Sequence, residues 1–92
     1  MQVTIQYKAQ ARRAAGIGSE TIEVSDSFCA GDCIREVATA HGEQLKPILV
    51  NADGEVQPAL LTFVNDVQIA RNDDKTLADG DTLTLMTPIS GG

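Results

Sequence analysis

Val3, Ile5 and Tyr7 alternate with Gln2, Thr4, Gln6 and Lys8, the two-residue period of a strand with one buried face. The alternation then stops. Ala9 to Ser19 carries Arg12, Arg13, Gly16 and Gly18 without a sustained apolar period, which predicts a surface loop. Ile22 and Val24, alternating with Thr21 and Glu23, begin a second strand. Past Ser25-Asp26-Ser27 the period lengthens, and Ala30, Ile34, Val37, Ala38 and His41 fall on one face of a helix. Asp32 suits the positive N-terminal end of that helix, and Gly42 can close its C-terminal end in a left-handed conformation. Ser27 and Cys29 both remain candidates for its N-cap.

Pro47 blocks a continuing helix, and Ile48-Leu49-Val50 before Asn51-Ala52-Asp53-Gly54 predicts a short strand closed by a turn. Ala59 to Val64 and Val67 to Ala70 flank Asn65-Asp66, two residues that tolerate positive φ, so a tight hairpin is expected. Leu77-Ala78-Asp79-Gly80 reads as a further turn. Asp81 to Ile89 is the last strand, with Leu83 and Leu85 facing the helix and Met86 facing away, substantially exposed to solvent. The order of elements predicts an α+β domain with one helix packed on one sheet. Periodicity leaves the strand order open.

A chain of 92 residues with 42% hydrophobic and 22% charged residues has the make-up of one ordinary globular domain. Thirteen acidic against seven basic side chains give a formal charge of -6. That charge disfavours nucleic acid and anionic lipid as partners; it suits either solubility or encounter with a basic protein surface. The first residues have neither a basic nor an apolar signal region, and the longest apolar runs are too short to span a bilayer. The expected compartment is the cytoplasm, where Cys29 and Cys33 would stay reduced.

The chemistry-bearing feature is the terminal Gly91-Gly92, which prolongs an apolar strand. With 8 glycines in 92 positions, an adjacent pair at a chosen place arises by chance roughly once in 130 sequences, so the dipeptide alone is modest evidence. Two residues without side chains let the backbone thread a narrow channel, and a terminal carboxylate is ionised at neutral pH. A carboxylate is a poor electrophile, so acyl chemistry there requires prior conversion to a mixed anhydride such as an acyl-adenylate. No side-chain cluster competes with this. Cys29 and Cys33 are expected to fill space rather than do redox chemistry, and two cysteines are too few for an iron-sulfur cluster. His41 is accounted for by the helix dipole, and Asp73, Asp74, Asp79 and Asp81 by solvated turns, so no metal site is assigned.

Phe63-Val64-Asn65-Asp66-Val67, Leu77-Ala78-Asp79-Gly80-Asp81 and the ending Thr87-Pro88-Ile89-Ser90-Gly91-Gly92 together resemble the MoaD/ThiS family of ubiquitin-like sulfur carriers. Asp32-Cys33-Ile34-Arg35-Glu36-Val37 extends the likeness more loosely onto the helix. The resemblance implies a β-grasp domain over residues 1–89 and a flexible tail over 90–92. It implies a carrier rather than an enzyme, with no bound cofactor. An activating enzyme related to ubiquitin-activating enzymes would adenylate Gly92 with ATP and Mg2+, with Gly91 giving the tail access. Persulfide sulfur would then yield a thiocarboxylate at Gly92. Met86, Pro88 and Ile89 are the expected partner-binding residues. The small subunit of molybdopterin synthase looks nearest in role, carriers of cysteine biosynthesis next, and thiamine carriers third. Conjugation to lysines through Gly92, or a passive interaction module, are the alternatives.

Overall fold

The computed structural model describes residues 1–70 and 75–87 of the chain. Strand β1 (Gln2–Ala9) buries Val3, Ile5 and Tyr7 as its alternation requires. Ala9, at φ 56°, turns the chain into a short helix α1 (Gln10–Ala15) where a loop was expected. The glycines that argued for a loop lie after this helix, not inside it. The segment itself, Gln-Ala-Arg-Arg-Ala-Ala, consists of good helix formers, and Ala11 is buried on its inner side. Gly16 ends α1 at φ 79°, its N–H donating to the Arg12 carbonyl.

Strand β2 (Ser19–Glu23) returns antiparallel to β1. Helix α2 (Ala30–His41) follows, with Cys29 in the N-cap position in extended conformation. The Cys29 backbone N–H donates to the Asp32 carboxylate at 3.1 Å and its thiol to the same oxygen at 3.3 Å, which resolves the choice between Ser27 and Cys29. Ala30, Cys33, Ile34, Val37 and Ala38 are buried, so α2 packs through one apolar face. Burial of each large member contributes roughly 1.5–3 kcal/mol.

After a 3₁₀ turn at Gly42–Gln44, a second short helix α3 (Lys46–Leu49) occupies the place where a strand was expected. Pro47 starts this helix instead of preventing it, because a proline in the first turn gives up an N–H that has no helical acceptor anyway. Leu45 and Leu49, four residues apart, are both fully buried, a helical spacing hidden by the Ile-Leu-Val run. Val50 then makes an isolated antiparallel bridge to Val56.

The hairpin expected around Asn65-Asp66 forms from β3 (Leu61–Val64) and β4 (Val67–Ile69). Both turn residues take positive φ, 49° and 71°, as a two-residue turn matched to strand twist requires. Strand β5 (Thr82–Thr87) completes one sheet of order β2-β1-β5-β3-β4. It runs parallel to β1 and antiparallel to β3. Residues from β1, α2, α3 and β5 share a single core. One mixed five-stranded sheet carrying the main helix on one face is the β-grasp arrangement.

Candidate functional site at the end of the central strand

β5 is the centre of the sheet, hydrogen-bonded on both sides, and Leu83 and Leu85 anchor it in the core at 0% exposure. The same alternation sends Thr82, Thr84 and Met86 to the other face. Met86 lies opposite Lys8 of β1 and Leu61 of β3. It is therefore on the expected face but only half-exposed, not substantially exposed. Cross-strand neighbours on a central strand stand close enough to cover one another. Lys8, Phe63, Asp66, Thr84 and Met86 line a shallow depression there. Leu61 and Phe63, both half-buried, extend this apolar strip on β3. The sequence expectation omitted them, although the alternation of β3 against Thr62 carried the signal.

Thr87, the last described residue of β5, pairs with Ala9 and so stands beside the start of α1. Pro88, Ile89, Gly91 and Gly92, the other residues expected at the site, lie outside the described residues, as do Asp73 and Asp74. A larger apolar hollow of about 420 Å³, lined by Val64, Val67, Ile69 and Leu77, also touches Asn65 and Asp81. It sits by the entry to β5, where Asn65 bonds to Thr82, at the other end of the strand from Thr87.

Several polar groups outside this strip have structural partners. Asp81 accepts from the Ala78 N–H at 2.8 Å and the Asn65 side chain at 2.9 Å, and these bonds hold its carboxyl below the usual range. Asp79 accepts the Gln2 N–H at 2.7 Å. Cys33 is fully buried, and burial, followed by the nearby Asp32 charge, pushes its thiol up to about 11. It is a small core residue with little thiolate.

His41 does more than face a helix dipole. Its Nε2 lies 2.6 Å from Glu20 Oε2, which also accepts the Tyr7 hydroxyl at 2.5 Å, and the Tyr7 and His41 rings meet edge-on with centroids 5.7 Å apart. Burial opposes ionisation of Glu20, but hydrogen bonds from Tyr7 and His41 outweigh it and hold the carboxyl low. Burial first, then Glu20, raises the Tyr7 phenol far above its ordinary value. These residues come from β1, β2 and α2, so no local pattern announces the network. It ties the end of α2 to the sheet.

Comparison with known proteins places this geometry. The model of the ThiS family matches residues 5–92. The chain is 28% identical over 92 residues to the molybdopterin synthase sulfur carrier subunit of Chlamydomonas reinhardtii, covering all of both chains. Its fold superposes on the crystal structure of SAMP1 from Haloferax volcanii with a TM-score of 0.88, at 25% identity and full coverage of both chains. It superposes on a putative molybdopterin converting factor, subunit 1, from Pyrococcus furiosus with a TM-score of 0.73, at 26% identity, covering 97% of this chain and 99% of that one. With a family model matched over nearly its whole length and the β-grasp sheet in place, the chain belongs to the ThiS family, the MoaD/ThiS group of ubiquitin-like sulfur carriers.

Proposed function

We propose that the chain carries sulfur as a thiocarboxylate on Gly92 and delivers it to a larger acceptor subunit in molybdopterin synthesis. The observation that carries this reading is the family match, which runs through Gly92. The likeness to a carrier subunit of molybdopterin synthase supports the pathway, and one chain in the complex of subunits 1 and 2 of molybdopterin-converting factor from Helicobacter pylori shares the fold.

The chain is a non-catalytic carrier. An activating enzyme of the ubiquitin-activating type, using ATP and Mg2+, joins the Gly92 carboxylate to AMP and releases pyrophosphate. The terminal sulfur of a donor persulfide attacks the activated carbonyl and AMP leaves. A thiol reduces the resulting acyl disulfide, and the thiocarboxylate remains. The gain is nucleophilicity, on a group that successive enzymes hold through one folded handle. Gly91 keeps the approach narrow, and Met86, Pro88 and Ile89, joined by Leu61 and Phe63, form the docking strip. The cytoplasm is the compartment proposed for the reaction. Among the described residues no helix is long and apolar enough to cross a membrane.

Deleting Gly92, or adding a residue after it, abolishes ATP-dependent pyrophosphate release with the cognate activating enzyme and leaves the fold intact. Full release from the truncated chain removes Gly92 from the mechanism. A second reading, conjugation to lysines through Gly92, is supported by the likeness to SAMP1, named as a small archaeal modifier protein. It shares the adenylation step and differs in the acceptor, so a lysine isopeptide on a target protein is its distinguishing product.

A further inference from the structure

The chain is acidic overall, yet three of its seven basic side chains, Lys8, Arg12 and Arg13, fall within six residues around the point where β5 ends. Lys8 pairs with Met86 and Ala9 with Thr87, and α1 packs against β5. From Lys8 to Ser19 there is no acidic residue. All three basic side chains are exposed, and none has an ion-pair partner among the described residues. The Arg12 guanidinium lies against Gly18, its Nε 3.5 Å from where a Cβ would stand, and Ile17 beside it is 41% exposed. Asp66, in the β3–β4 turn, is the acidic residue that lines the neighbouring depression. Arg35, in contrast, is bonded to the Gly54 carbonyl and paired with Asp32.

We infer that Lys8, Arg12 and Arg13 form a positive collar beside the end of β5 that docks on an acidic lip around the active-site channel of the activating enzyme. The inference rests on the reading of Gly92 as the working group. At contact, within a Debye length of about 10 Å, the local collar outweighs the distant negative charges. A negative body with a positive pole is turned tail-first by an acidic lip, a gain in encounter rate and orientation. Nucleic acid would meet the remaining excess of carboxylates and is disfavoured by it.

The test is steady-state activation of the full chain by its cognate activating enzyme, with Arg13→Glu compared to Lys46→Glu, an equal change of net charge on α3. At low ionic strength Arg13→Glu raises KM about tenfold with kcat unchanged, a difference that fades as salt is added; Lys46→Glu leaves KM unchanged. Arg12→Gln/Arg13→Gln, which keeps good helix formers in α1, raises KM less, and its unchanged thermal midpoint separates docking from folding. Equal KM values for Arg13→Glu and wild type, or a lower KM for Arg13→Glu, overturn the collar. So does an increase shared by Lys46→Glu. Salt-sensitive binding of wild type to a single-stranded DNA probe that matches its affinity for the enzyme also overturns it. Loss of Gly92 is read separately by pyrophosphate release: if release survives that deletion, the proposed function fails whatever the collar does.

Discussion

Ala9 occupies φ 56° and ψ -131°, a conformation that costs a residue with a Cβ roughly 1–3 kcal/mol. It does so at the point where β1 hands over to α1 and where Thr87 ends the central ladder. Ala9→Gly is therefore expected to raise stability by about 1 kcal/mol in urea unfolding; an unchanged or lower midpoint contradicts the strain. Thr62 presents a buried hydroxyl with no hydrogen-bond partner among the described residues. A lone buried hydroxyl costs about 1–3 kcal/mol, so the isosteric Thr62→Val should stabilise the fold by about 1 kcal/mol. The Tyr7–Glu20–His41 network gives a pH signature. The folded carboxyl of Glu20 is depressed, so its contribution is complete above the ordinary value of 4.5 and is lost as pH falls through the folded value. Tyr7 is raised, so its contribution holds below 10 and is lost as pH rises beyond it. The stability lost between about pH 7 and about pH 3 should be larger in wild type than in Glu20→Gln; equal losses contradict the network.

At the scale of elements, alternation made β1, β2, the hairpin and β5 legible, since each is amphipathic with a period no other element shares. α2 was legible for the same reason. α1 and α3 were not. At 6 and 4 residues they are too short to establish a helical period, and α3 is set by Leu45 and Leu49 reaching a core formed elsewhere in the chain. The strand order, with β5 parallel to β1 at its centre, depends on long-range pairing that no window of sequence contains. The outer strip was half legible: Met86 follows from the alternation of β5, whereas its cover by Lys8 and Leu61 follows only from register. Met86→Glu should weaken binding to the activating enzyme or acceptor by about tenfold, with little change in thermal midpoint. Unchanged affinity in calorimetry sinks the strip as an interface, and a large loss of stability assigns Met86 to the core.

On the scale of the whole molecule, the fold is a rigid handle: its central strand is locked by Leu83 and Leu85 and its turns by Asn65, Asp79 and Asp81. The proposed chemistry stands on the backbone carboxylate of Gly92, which lies outside the described residues. Fold and family were therefore legible by different routes, the fold from apolar spacing and the family from the turns and the Gly91-Gly92 ending that carry the likeness, on which the proposed site rests. Intact-mass spectrometry of the chain purified from its native cells, with fragmentation to place any change, tests the central claim most directly. The account predicts a population in which sulfur replaces one oxygen of the Gly92 carboxylate, absent from the Gly92-deleted chain. A terminus that is always an ordinary carboxylate, or that occurs only in isopeptide linkage to lysine, would contradict it.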